Sequence, residues 1–134
     1  MITIIGANKR QKAYIESITL YVLKKLLPRV KKYDIEIRLC KLKDANGYCL
    51  EADNREFEIE INKTLGQREM LQTLAHELVH VKQYIRKEFD PAEEKMDYWD
   101  RPTEIEAHGR ECGLFIRWAE ANNLAKYKWT QVPG

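Results

Sequence analysis

A chain of 134 residues, 44% of them apolar, has the size of one domain and apolar surface for one modest core. No apolar run reaches the length of a membrane span, and the opening Met-Ile-Thr-Ile-Ile-Gly is too short and lacks the basic lead-in of a secretory leader. Three cysteines, Cys40, Cys49 and Cys112, without a Cys-x-x-Cys pair, fit reduced thiols in the cytoplasm better than a disulfide framework, so a cytoplasmic protein with no membrane partner is expected.

The net charge of +2 hides an uneven spread: residues 1–43 carry 11 Lys/Arg against 3 Asp/Glu, and residues 44–100 carry 7 against 14. A basic first helix can meet nucleic acid or an acidic partner. Without interleaved aromatics, the same charges read more simply as a solvated face.

In chain order, residues 2–5 suit a short strand. Asn8 and Gln11 have the spacing of a capping box and open a helix to about Leu27, with Ile15, Ile18, Val22 and Leu26 on one face and Pro28 ending it. From Tyr33 the apolar period changes to two, with Ile35, Ile37 and Leu39 facing one way. Asn46-Gly47 is a hairpin signal that sends residues 48–52 back antiparallel, and Asp53-Asn54 turns the chain again into Phe57, Ile59 and Ile61. These strands predict an antiparallel meander with one dry face.

Thr64 and Gln67 have the spacing of a second capping box, and a helix from there is expected to stop before Pro91. Residues 90–100 read as an acidic loop. A third helix runs from about Thr103 to Ala121, with Asn122-Asn123 as its stop and an aromatic tail over 124–134. The expectation is one α+β domain over residues 1–134, a small antiparallel sheet packed on helices, with the second helix central.

That second helix carries His-Glu-x-x-His at His76, Glu77 and His80, using two of the chain's three histidines. Residues four apart share a helix face, so the two imidazoles can hold one Zn²⁺ at about 2.0–2.1 Å each. Zinc lowers the pKa of a water it holds towards about 7, and Glu77 stands beside the pair, placed to take that water's proton as general base.

A catalytic zinc needs a third protein ligand, and the next helix offers Glu104, Glu106 and His108, in that order of preference. Glu104 shares a stripe with His108, Cys112, Phe115 and Ala119, whereas Glu106 falls with Arg110 and Arg117. If Thr103 is the N-cap, Glu106 occupies the capping-box position. His108, a turn beyond Glu104, is placed to orient a ligand or stabilise an oxyanion.

A His-Glu-x-x-His helix followed by a glutamate on the next helix resembles the gluzincin zinc metallopeptidases. The small size and the order of sheet, motif helix and glutamate helix resemble the minigluzincins, and Glu-x-Glu-Ala at 104–107 is similar to the ImmA/IrrE-like peptidases. The resemblance covers roughly residues 33–121. It implies a zincin-like fold and a zinc peptidase acting on peptide or protein, with His76, His80 and Glu104 on the metal and Glu77 as general base. It also implies that the strand over 56–61 binds extended peptide along its edge. The thermolysin-like Asn-Glu-x-x-Ser-Asp pattern is absent, and His108 stands where that pattern has its Asp.

Three alternatives accompany this reading. A peptide-deformylase-like site would use Cys49, but the sequence around Cys49 lacks the other segments of that family. An SprT-like DNA-associated protease would usually take a histidine nearer the motif as its third ligand. A metal-binding regulatory or interaction module would keep the site and cleave nothing. A monomer is expected. The tail (Tyr127, Trp129, Pro133) either packs over the cleft or covers helix or sheet surface.

Overall fold

Asn8 accepts a hydrogen bond from the Gln11 backbone, and Gln11 accepts one from the Asn8 backbone. This reciprocal cap launches α1 (Lys9–Leu26) directly after β1 (Ile2–Ile5). Ile15, Ile18 and Val22 are buried, while the basic residues of α1 face outward. The computed structural model describes residues 1–131.

The remaining strands are β2 (Asp34–Cys40), β3 (Gly47–Asp53) and β4 (Glu56–Asn62), followed by α2 (Gln67–Ile85) and α3 (Pro102–Ala121). The fold is α+β, with a four-stranded sheet and three α-helices. Among the described residues no helix is long and apolar enough to cross a membrane, and all three cysteines are unpaired.

The sheet is mixed rather than antiparallel, which corrects the meander. Its order is β1-β2-β4-β3, with β1 and β4 both parallel to β2 and only β3 antiparallel to β4. β2 and β3 do not pair, so Asn46-Gly47 leads into β3 without closing a β2–β3 hairpin. The hairpin is β3–β4, turning at Asn54 and Arg55, where Arg55 takes φ 59°. The reason lies in side-chain content. β4 sends Phe57, Ile59 and Ile61 into the core and takes the sheet interior, whereas β3 points Gly47, Cys49 and Glu51 to the same side and is left at the edge. Alternation reports which face is dry, not which strand is the neighbour.

α2 packs against α1, α3, β3 and β4. Every residue from Leu74 to Gln83 is buried, so this helix has no solvent face over most of its length. Each fully buried Leu or Val there contributes about 1.5–3 kcal/mol. Its N-cap is Gly66 rather than Thr64, because the Thr64 hydroxyl donates to the Asn62 side chain 2.8 Å away. It also ends earlier than the distance to Pro91 suggests. Lys87 adopts φ 56°, and the Glu88 backbone N–H returns to the Gln83 carbonyl at 2.9 Å, a left-handed C-terminal cap.

Short 3-10 turns at Pro91–Lys95 and Tyr98–Asp100 lead into α3, whose N-cap is Arg101 and not Thr103. Thr103 instead donates its backbone N–H (2.9 Å) and its hydroxyl (2.8 Å) to the buried Glu93 carboxylate. Glu93 thus satisfies the start of α3 from outside the helix. Tail residues Tyr127 to Gln131 cover helix surface: Trp129 packs on Tyr14 and Phe115, and the Thr130 carbonyl accepts from Arg68 at 2.6 Å. None of residues 124–131 lines the cleft described below. Pro133 lies outside the described residues.

Glu93→Ala is expected to destabilise the chain by about 1–3 kcal/mol, since it strands two buried donors of Thr103. Urea unfolding midpoints of the variant and the parent check this. An unchanged midpoint would mean that the start of α3 is satisfied in another way.

Candidate metal centre

A helix buried on all sides must satisfy every polar side chain it carries. α2 buries His76, Glu77, His80, Lys82 and Gln83, and α3 supplies most of their partners. The Nε2 atoms of His76 and His80 both point at the Glu104 carboxylate, one to each oxygen, at 3.1 and 3.2 Å. Their rings stand nearly perpendicular, with centroids 5.0 Å apart. His76, Glu77 and His80 offer ligand atoms within 4.8 Å of one another and can hold a metal ion.

The three candidates on α3 separate cleanly. Glu104 meets both motif histidines. Glu106 turns away and bonds Lys82 at 2.8 Å, Gln83 at 2.9 Å and Arg110 at 2.9 Å. It makes none of the capping bonds its spacing suggested, and it is tied into α2 rather than left on a wet face. His108 approaches the site by its ring, 4.4 Å from the His76 centroid, with Nδ1 2.9 Å from Glu111 and Nε2 2.9 Å from the Tyr98 hydroxyl. All three histidines of the chain therefore meet in one place.

Several participants escaped the sequence reading. Glu111 lies 3.2 Å from His76 Nδ1, accepts from Gln72 at 3.2 Å, and forms a second potential metal group with His76 and His108. Its spacing, seven residues beyond Glu104, places it on the same stripe and was the available signal. Gln83, seven beyond His76, lies 2.7 Å from His80 Nδ1. Tyr98, whose hydroxyl donates to Glu104 at 2.9 Å, comes from a 3-10 turn that no periodicity announces.

The titration behaviour follows from this crowding. Burial favours neutral His76, but hydrogen bonds to Glu104 and Glu111 and the charge of Glu77 outweigh it and raise the imidazole from 6.5 to about 9. Burial likewise opposes a charged His80, and Glu104 and Glu77 raise it nonetheless. Burial acts against ionised Glu104, yet His76, His80 and Tyr98 hold its carboxyl far below the usual range. Glu77 is pushed up to about 6 by burial, against the pull of His80 and His76. Burial and the bond to Glu104 raise the Tyr98 phenol far above its ordinary value, so its hydroxyl keeps its proton. The donor set thus attracts positive charge at the point where the two Nε2 atoms and Glu104 converge, and these residues fit a divalent cation.

The centre opens into a cleft of about 720 Å³. Its lining includes Tyr84, Phe89 and Tyr98 as well as Lys43, Asn46, Asn62 and Thr73. Gly47 lines it too. A Cβ there would stand 3.0 Å from both the Glu60 carbonyl oxygen and Thr73 Cγ2, so a side chain would press β3 and α2 apart by a few tenths of an ångström. Cys49 also lines the cleft, but burial and the charges of Glu77 and Glu51 raise its thiol well above 9, and it joins neither group of converging donors found among the described residues. Comparison with family models, curated proteins and solved structures returned no match.

The raised His76 pKa sets a sign for stability against pH. A group whose folded pKa lies above its unfolded value stabilises fully below the unfolded value, here 6.5, and loses that contribution as pH rises through about 9. Metal-stripped protein is therefore expected to lose stability steadily from pH 6.5 to 9, and His76→Gln to flatten that decline. Urea midpoints across the range, with chelator present, measure both.

Proposed function

We propose that this chain is a zinc-dependent peptidase of the gluzincin type, resembling the minigluzincins. The observation that carries the reading is the convergence of His76 Nε2 and His80 Nε2 on a Glu104 carboxylate from the next helix, with Glu77 buried beside them. His76, His80 and Glu104 would hold the zinc, which as a Lewis acid polarises the scissile carbonyl and makes water a nucleophile at neutral pH.

Glu77 then acts as general base: with a pKa of about 6 it is ionised at neutral pH yet basic enough to accept the attacking water's proton and pass it to the leaving amine. His108 and Tyr98 stand together at the cleft side of Glu104, where an N–H or O–H can donate to the oxyanion as it forms. A peptide would lie along β3. The resemblance pointed to β4 for this role, but both edges of β4 are paired, while β3 has a free edge and contributes Gly47, Tyr48 and Cys49 to the cleft wall. A carboxylate between the two histidines favours this reading over the SprT-like alternative, whose third ligand is usually a histidine.

Glu77→Gln is expected to retain about one zinc per chain and lose roughly 10²–10⁴-fold in peptide hydrolysis, because an amide cannot take the proton. Full activity in that variant removes Glu77 as base, and zinc uptake without hydrolysis in the parent chain favours the binding-module alternative.

The ligand assignment is tested by three alanine variants measured together. Glu104→Ala should lower zinc affinity and activity alike, His108→Ala should reduce turnover more than zinc content, and Glu106→Ala should mainly cost stability. Zinc loss in Glu106→Ala with full retention in Glu104→Ala would reverse the assignment.

A further inference from the structure

His80 is the most enclosed of the three histidines, and its far side faces a fully buried carboxamide. Gln83 Oε1 lies 2.7 Å from His80 Nδ1, and Gln83 has no exposed surface. The orientation of that carboxamide is decided by its other contacts. Gln83 Nε2 lies 2.9 Å from the Thr103 carbonyl oxygen and 2.9 Å from Glu106 Oε1. A carbonyl can only accept. Glu106 accepts from the Lys82 ammonium at 2.8 Å and the Arg110 guanidinium at 2.9 Å, so its carboxylate too faces Gln83 as an acceptor. The NH₂ group must face these two oxygens, and the amide oxygen is left to face His80.

We infer that Gln83, oriented by Glu106 and Thr103, is a positioning residue that fixes the proton of His80 on Nδ1 and so commits Nε2 to the metal. An amide oxygen can only accept, so Nδ1 must carry hydrogen for the 2.7 Å contact to be a bond. In the neutral imidazole that a metal ion requires, the unprotonated nitrogen is then Nε2, which lies 3.2 Å from Glu104 Oε2 at the point of convergence. Glu106 gains a role here distinct from the ligand and capping roles its sequence position suggested. Lys82, bonded at once to Glu106 (2.8 Å) and Glu88 (2.7 Å), braces it. The chain Lys82–Glu106–Gln83–His80 thereby ties the docking of α3 on α2 to the orientation of one metal donor.

This inference rests on the metal-site part of the proposed function and is independent of whether peptides are cleaved. The experiment loads nitrogen-15-labelled protein with cadmium-113 and reads which ring nitrogen of His80 couples to the metal and which carries hydrogen. The expected result is coupling through Nε2 with hydrogen on Nδ1. Gln83→Leu removes the acceptor and should weaken cadmium and zinc binding about 10–100-fold. The exchange Gln83→Glu with Glu106→Gln keeps an acceptor facing Nδ1 and a donor facing position 83 but gives up the bond to the Thr103 carbonyl, and should keep the parent's coupling pattern and bind more tightly than Gln83→Leu.

Should Gln83→Leu fail to fold, the parent spectrum and the exchanged variant still decide. Coupling through Nδ1, a folded Gln83→Leu with unchanged affinity, or an exchanged variant that folds with hydrogen on Nε2 would each overturn the inference. A chain that binds no cadmium overturns it together with the metal site. Coupling through Nε2 in a protein that cleaves no peptide sustains it and removes only the peptidase reading.

Discussion

The interface between α2 and α3 is the constraint on which the rest of the structure depends. Ten consecutive residues of α2, from Leu74 to Gln83, are shut away from water, and half of them are polar. Burying an imidazole, a carboxylate, an ammonium and an amide without partners would cost several kcal/mol, comparable to the whole stability of a small domain. α3 meets much of that demand: Glu104 and Glu111 partner the imidazoles and Glu106 partners Lys82 and Gln83, while Phe115, Trp118 and Ala119 enter the core. The contacts that make the chain fold and those that assemble the site belong to one docking event.

The electrostatic character of the centre follows from the same geometry. Glu77, Glu104 and Glu111 share a small volume with three histidines, and the imidazoles His76 and His80 are pulled towards the charged form although burial opposes it. A site that raises the basicity of buried imidazoles is one that rewards a cation. Protons would compete with any metal ion held there, so metal binding would be linked to proton release.

The edge strand links this chemistry to the sheet. β3 is poor in apolar inward side chains, and Gly47 lets its backbone run close beside Thr73 of α2. A richer strand would have been drawn into the sheet interior, and its hydrogen-bonding edge would be consumed. The cleft takes its lining from the loop before β3, from β3 itself, and from α2 with the segment after it.

The sequence by itself determined the elements and the first half of the site. A period of 3.6 in α1 and α2, alternation in β2 and β4, and the Asn8–Gln11 cap are local patterns, and backbone geometry translates them directly. His76, Glu77 and His80 were legible for the same reason, since four residues along a helix always share a face. Tertiary structure decided everything that joins distant segments. It chose β4 over β3 as the neighbour of β2 and replaced the expected Thr103 cap by Glu93. It also decided what the glutamates of α3 meet, His76 and His80 for Glu104 and Lys82 and Gln83 for Glu106. It brought Glu111, Gln83 and Tyr98 to the centre, because a buried polar group takes its partner from whatever element packs against it. That element is set by the docking of whole helices, which no short stretch of sequence encodes.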